Sequence, residues 1–164
     1  TLGTGVGGAA VVDGRLHKGH IARGGHLGHN CLNPDGPHDI TGIPGSLEMM
    51  IGNCTITERT RGQFRTTHDL VRAFEQEDED ATKYWLLSVQ ALAASVASYI
   101  NILDPEVVVI GGGIARAGRS LFEPLEKFLR PIEWQPLGHN VPIVPAKLGE
   151  FAGAIGAARN ALLN

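Results

Sequence analysis

The chain has 164 residues, 43% apolar and 19% charged, with a formal net charge of −3, which suits one globular domain with a real core. No basic run points to nucleic acid and no acidic tail points to disorder. Cys31 and Cys54 are too few for a disulfide framework, TLGTGVGG lacks a signal-peptide pattern, and no apolar run reads as reaching the ~18–20 residues that span a bilayer, so the expectation is a soluble, cytoplasmic chain with neither a membrane nor a nucleic-acid partner.

In chain order, Thr1-Leu2-Gly3 reads as the end of a strand. Ala9–Val12 reads as a strand closing in the tight turn Asp13-Gly14, with Arg15–Lys18 as its return. From Gly19 to Gly45, Gly, Pro, Asn and Asp recur without periodicity; a loop that long in a compact domain is usually functional. Ser46–Ile51 predicts a short helix, and Thr67–Phe74 a second one with a capped start. The acidic run Glu75–Asp80 reads as a solvated turn. Thr82–Leu103 is the strongest helix, with Trp85, Val89, Leu92, Val96, Tyr99, Ile100 and Leu103 on one face. Ala91, Ala93, Ala94 and Ala97 predict close packing against another element. Asp104-Pro105 stops it. Val107–Ile110 is the continuous apolar run of a buried parallel strand. Gly111-Gly112-Gly113 follows, then a helix from Ala115 to Leu129, a strand at Val141–Val144 and an alanine-rich helix at Phe151–Leu163. The alternation is that of an α/β fold with a hairpin at its front.

Glycine is over-represented, at 22 of 164 residues against a usual ~7%, and it clusters in TLGTGVGG, GGHLGH and VIGGGIA. The first cluster presents consecutive backbone N–H groups and the Thr4 hydroxyl, a concavity that suits phosphate oxygens. It is neither a Walker A loop nor a clean dinucleotide fingerprint, and a structural turn fits the residues equally. The third cluster sits at the C-terminal end of a parallel strand, where ligands of open α/β sheets bind. Two such turns in one short domain favour a nucleotide cleft. GGHLGH places His26 and His29 three apart among glycines, with Cys31 and His38 close behind and Glu48 opening a helix. A histidine and a carboxylate converging on one place suit sugar hydroxyls or a metal. His17, His20, His68 and His139 read as satisfied loop histidines.

Taken in order, LGTGVGG, GGHLGH, NPDGP, GxxGSLE, DPEVVVIGGG and EFAGAIGAA resemble the C-terminal part of ROK proteins. That family comprises sugar kinases, among them bacterial glucokinases, fructokinases and N-acetylmannosamine kinases, and sugar-responsive repressors. The resemblance covers nearly the whole chain. It implies the actin-like, ribonuclease H-like ATPase fold, with residues 1–164 as the C-terminal domain, a mixed sheet flanked by helices. It implies an ATP site with Mg²⁺, in which Gly3, Thr4, Gly5, Gly7 and Gly8 form the second phosphate loop and Gly111, Gly112 and Gly113 the adenosine-side loop. His29 and Glu48 match the family's sugar-contacting histidine and glutamate.

Two departures stand out. The family's sugar loop usually reads GExGH, and its glutamate also contacts sugar; here that position is His26. Neutral imidazole offers one donor and one acceptor where an ionised carboxylate only accepts, so hydroxyl recognition should differ. Many members also hold a structural zinc through the GH histidine and three cysteines of CxCGxxGCxE. Here those cysteine positions are Asp39, Thr41 and Ser46, and hydroxyls are poor zinc ligands, so no metal is expected. A site rebuilt from His29, Cys31, His38 and Asp39 is the alternative, supported by proximity alone.

The family's first phosphate loop and catalytic aspartate lie in its N-terminal domain. Asp13, Asp35, Asp69, Asp78, Asp80 and Asp104 have turn, cap or surface readings, so no catalytic residue is expected in this chain and alone it should be inactive. The implied activity of the intact protein is phosphoryl transfer from ATP to a hydroxyl of a hexose or N-acetylhexosamine. The alternatives are the effector domain of a sugar-sensing repressor, or an inactive sugar-binding protein. The long helix and the resemblance together imply a homodimer.

Overall fold

The computed structural model describes residues 1–162. A hairpin, β1 (Val11–Val12) and β2 (Arg15–Leu16), leads through a long loop to α1 (Leu47–Ile51), α2 (Ile56–Arg59), α3 (Thr67–Glu75) and α4 (Glu79–Leu103). Then come β3 (Val108–Ile110), α5 (Arg119–Leu129), β4 (Ile143–Pro145) and α6 (Ala152–Leu162). The end of the last helix expected at Leu163 lies outside the described residues.

The core is built on α4. Asp78 caps it, its carboxylate accepting from Ala81 N–H at 2.7 Å, and Glu79 and Asp80 stand in the first turn, where the helix dipole favours negative charge. The acidic run is therefore a helix start as well as a turn. Asp104 ends the helix at φ +43 and Pro105 cannot extend it. One face buries Trp85, Val89, Leu92, Ala93, Val96 and Ile100, packing against α1, α3 and α5. No charge falls between Tyr84 and Leu103, so by length and composition this helix does reach a membrane span, contrary to the sequence expectation. Its buried face makes it the core helix instead.

The partner α5 buries Leu121, Leu125 and Leu129, four residues apart, all fully. It carries Pro124, which has no N–H to give to the carbonyl of Ser120. Trp85 Nε1–H fills that vacancy, donating to Ser120 O at 2.8 Å. The helix expected from Ala115 is split, because a 3₁₀ turn, Ile114–Ala117, ends at Gly118 with φ +55 before α5 begins. Sequence reasoning missed α2, four residues with one inward apolar side chain, Ile56, too short to show a period.

The hairpin turn Asp13-Gly14 has φ +51 and φ +74, the two positive angles that a two-residue turn needs to match strand twist. Strands β3 and β4 are parallel, pairing Val108 with Ile143, Val109 with Val144 and Ile110 with Pro145. The expectation of a buried strand holds only at Ile110. Val107 and Val109 are 40% and 55% exposed, because among the described residues nothing covers that face of the two-stranded sheet. Likewise α6 has no buried residue among those described. Thr1-Leu2-Gly3 is not a strand end: Leu2 bridges Val6 in a tight turn, and buried Leu2 and Val6 point it into the core.

Candidate functional site

The first and third glycine clusters are hydrogen-bonded to each other. Leu2 N–H donates to Gly111 O at 2.7 Å, and Ile114 N–H donates back to Leu2 O at 3.1 Å. Gly112 sits at the crossing with φ +96, and a Cβ there would collide with Leu2 O; only glycine fits this angle and this approach. The first turn is also tied to the segment before α2, with Asn53 N–H donating to Gly3 O at 3.0 Å and Cys54 N–H to Thr4 O at 2.8 Å. Asn53 Oδ1 in turn accepts from Thr67 N–H at 2.7 Å, which fixes the start of α3 beside the turn.

These contacts frame a cavity of about 640 Å³, within the range of small-molecule sites. Of the residues assigned to ATP, Gly3, Thr4 and Gly113 line it. Gly111 and Gly112 lie behind as the crossing. Gly5 and Gly8 face Glu48 and the GGHLGH loop instead: a Cβ on Gly5 would collide with Glu48 Oε2, and one on Gly8 with Leu27. Gly7 closes the turn through its N–H to Thr1 O at 3.0 Å. The remaining wall comes from α3 and the 3₁₀ turn, including His68, Arg72, Glu75 and Arg116. His68, read from sequence as a satisfied loop histidine, is a helical residue facing this cavity. The missed signal is its spacing, since positions 68, 71, 72 and 75 share one helix face.

The second cluster lies along the first. A Cβ on Gly28 would collide with Val6 O, and Val6 N–H donates to Glu48 Oε2 at 2.9 Å. Val6 thus ties GGHLGH and Glu48 to the glycine turn that lines the cavity. The loop is pinned to α4 by Tyr99, whose hydroxyl lies against Leu27 O and the Asn30 side chain. Burial pushes the Tyr99 phenol up to about 12, against the opposing effect of Ser95, so it stays a donor at neutral pH and gives its one proton to one of the two acceptors at a time. Asn30 Nδ2–H also donates to Ser95 Oγ at 3.2 Å.

His29 is half-buried, and its Nδ1 lies 2.8 Å from Asp39 Oδ2. His26 is exposed, its ring centroid 5.9 Å from that of His29 and tilted by 32°. The Asp39 carboxylate is buried. Its Oδ1 accepts from Thr41 N–H at 2.8 Å, Thr41 Oγ1–H at 2.7 Å and Ile43 N–H at 3.1 Å. Burial by itself would raise the Asp39 carboxyl, but Ser46, Thr41 and His29 together outweigh it and hold it well below the usual carboxylate range. Ser46 Oγ acts there by proximity, since it meets no strict hydrogen-bond geometry.

These residues do not suit zinc. The Asp39 oxygens are taken by N–H and O–H donors, and no three His, Cys, Asp or Glu groups converge as metal ligands among the described residues. His38 is exposed in a bridge to Pro44, and Cys31 is an exposed free thiol, so the rebuilt set His29, Cys31, His38 and Asp39 is not assembled.

Comparison with known proteins is consistent across sequence and structure. The model of the ROK family matches residues 1–162. A glucokinase of Thermotoga maritima is 35% identical over 175 aligned residues, covering 96% of this chain and 55% of the relative. An N-acetylmannosamine kinase of Vibrio cholerae is 32% identical over 160, covering 96% and 54%. The crystal structure of a ROK hexokinase from Thermus thermophilus superposes with a TM-score of 0.89 at 33% identity, covering 99% of this chain and 55% of that one. The chain spans about half the length of the curated relatives it matches.

Proposed function

The chain belongs to the ROK family and has its actin-like ATPase fold, and from that premise we propose that residues 1–164 are the nucleotide- and sugar-contacting half of an ATP-dependent sugar kinase. The acceptor is a hydroxyl of a hexose or N-acetylhexosamine. One observation carries this reading: the turn Gly3–Gly8 faces two ways. Gly3 and Thr4 line the 640 Å³ cavity, while Gly5 and Val6 hold Glu48. A phosphate-binding turn and a hydroxyl-binding carboxylate thus share a few consecutive residues, as direct transfer between two bound ligands requires.

In this reading Gly3, Thr4 and Gly113 meet the nucleotide, Gly5, Gly7, Gly8, Gly111 and Gly112 shape the turns that present them, and His68, Arg72 and Arg116 are further nucleotide-side groups. Glu48 and His29 meet sugar hydroxyls, with His26 beside them. Catalysis in phosphoryl transfer is mainly positioning and charge stabilisation, to which Mg²⁺ contributes when bound with the nucleotide. Among the described residues, the carboxylate lining the cavity is Glu75, which accepts from Ser120 Oγ–H at 2.6 Å; a single carboxylate is not by itself a ligand set for the ion. The general base that takes the proton of the acceptor hydroxyl belongs to the other half of a relative-length protein. Exposed Phe151 and Ile155 on α6 and Val109 on β3 support this two-domain reading. A cytoplasmic location accords with the free thiols Cys31 and Cys54, and exposed Ile102 and Leu103 at the end of α4 accord with a homodimer.

The test is ADP release by the full-length protein across a panel of hexoses and N-acetylhexosamines. Turnover with at least one sugar is expected. ATP binding without turnover of any sugar would remove the kinase.

A further inference from the structure

The zinc of the wider family and the residues of this chain disagree, and the disagreement has a chemical consequence at the sugar side. Asp39 Oδ1 already accepts three donors, from Thr41 N, Thr41 Oγ1 and Ile43 N. Those donors stabilise the ionised carboxylate, which can only accept. The remaining oxygen, Oδ2, faces His29 Nδ1 at 2.8 Å, so Nδ1 must carry the proton. When the ring is neutral, Nε2 is then a lone-pair acceptor. A metal in the place of Asp39 would do the opposite. A neutral imidazole ligating through one nitrogen keeps its proton on the other, which becomes a donor. The exposed His26 ring stands 5.9 Å away and is free of the acceptor-only limit of a carboxylate.

We propose that Asp39 is a metal-free lock that holds His29 as its Nδ1–H tautomer, so that His29 Nε2 accepts from a sugar hydroxyl while His26 donates to one. Asp39 is a positioning residue that acts through His29, and the sugar-facing half of the proposal rests on the kinase reading above. The pair supplies one acceptor and one donor, and the two roles are set by different residues, so they can be exchanged together.

The direct test is long-range ¹H–¹⁵N spectroscopy of the full-length protein labelled at histidine, at a pH where the ring is neutral. His29 is expected with its proton on Nδ1, and the protein purified without chelator is expected to contain no stoichiometric zinc. In the Asp39→Asn variant, the side-chain carbonyl can keep the Thr41 and Ile43 donors while the amide NH₂ faces the ring. Two donors cannot face each other, so the proton moves to Nε2, as carboxylate-to-amide replacement does in histidine-dependent sites. Sugar KM should rise about 10–100-fold, the usual loss for an outer-shell partner, while ATP KM stays constant, a split that general loosening of the fold does not produce. His26→Glu alone should also raise sugar KM. Combined, the two changes restore one donor and one acceptor in exchanged places, so the double variant should bind sugar better than the product of the single effects.

An Nε2–H tautomer in the wild type, stoichiometric zinc, or strictly multiplicative effects in the double variant would each overturn the proposal, and the wild-type spectrum decides even where Asp39→Asn does not fold. Calorimetric titration with glucose, N-acetylglucosamine and N-acetylmannosamine separates the two readings. A sugar bound but not phosphorylated removes the kinase and leaves the lock in place, whereas an Asp39→Asn variant that flips the tautomer yet binds sugar as before removes the sugar-facing half of the proposal.

Discussion

Gly112 crosses Leu2 with no space for a side chain, whereas His29 is held by the Asp39 carboxylate, itself gripped by a hydroxyl and two amides. In the proposed reading the nucleotide side is backbone against backbone, whereas the sugar side turns on one side chain, the Asp39 carboxylate, which gathers an imidazole, a hydroxyl and two backbone amides. The difference bears on what each can tolerate. A backbone crossing accepts glycine and little else, so its function survives only with its spacing intact. A side-chain cage can change its chemistry while the chain path stays the same. Gly42 and Gly45 keep the positive φ angles +86 and +49 that fold the segment back on itself, although the residues between and around them carry no thiol. That segment can therefore hold a histidine with hydrogen bonds alone.

The largest expected effect comes from breaking the backbone side. Gly112→Ala places a Cβ against Leu2 O at φ +96, where neither partner is a flexible side chain. A loss on the order of 3–5 kcal/mol in unfolding free energy is expected from strain plus collision, read by denaturant unfolding, with nucleotide binding lost along with it. A stability change below about 1 kcal/mol would show that the two turns do not depend on each other.

Next is the cage. Asp39→Ala removes the acceptor of the Thr41 and Ile43 N–H groups; leaving a buried donor unpaired costs roughly 1–3 kcal/mol, a cost that water reduces at exposed Thr41 more than at half-buried Ile43. A net loss of about 1–3 kcal/mol is expected from the lost acceptor. Because the folded-state carboxyl is held well below its usual range, the ionised form stabilises the folded protein. That contribution is fully present above the unfolded pKa of ~3.9 and is lost as pH falls toward and through the folded value. The stability gap between wild type and Asp39→Ala should be flat from neutral pH to about pH 5 and shrink below pH ~4. A gap that closes near neutrality would mean that another group carries the effect.

The same contrast explains what is legible in the sequence. Glycine spacing announces both turns, because a turn that needs φ > 0 or close approach leaves a visible residue. The hairpin follows from Asp13-Gly14, and the buried face of α4 from its period. The Asp39 cage has no period and no motif. In sequence, Thr41 and Ser46 read as missing cysteines and Asp39 as a missing cysteine or a ligand of a rebuilt metal site, and their hydrogen bonds exist only once the loop has closed over His29. His68 misleads because a lone histidine reads as a satisfied loop residue until the cavity beside it is known. The run Glu75–Asp80 reads as a turn because its density of charge hides the cap at Asp78. Exposure of Val109 and α6 has no signal in the sequence, since an apolar run does not say whether its cover lies in the same segment.

A smaller effect is expected at the hinge between loop and core. Tyr99→Phe removes the hydroxyl against Leu27 O and Asn30 and leaves the ring in place. One hydrogen bond of this kind contributes about 1 kcal/mol. Sugar KM should rise several-fold with ATP KM unchanged, since Tyr99 contacts the GGHLGH loop and does not line the cavity. An equal rise in both would show that the loop and the cavity move as one body.

The smallest effect sharpens the contrast from the other direction. Arg72 and Arg116 line the cavity proposed for the nucleotide but are exposed. An exposed cation near phosphate is screened by solvent and salt and is worth at most about 1 kcal/mol. Arg72→Ala or Arg116→Ala should therefore raise ATP KM by about 2–5-fold at low salt, leave sugar KM alone, and differ little from wild type at high salt, where wild-type affinity itself falls. The Asp39 cage should show little such salt dependence, because the carboxylate at its centre is buried. Steady-state kinetics at two ionic strengths reads both at once. If the arginine variants lose more than about tenfold and keep that loss in high salt, those guanidinium groups bind in desolvated geometry, and the nucleotide side is then built from side chains as much as from its glycine backbone.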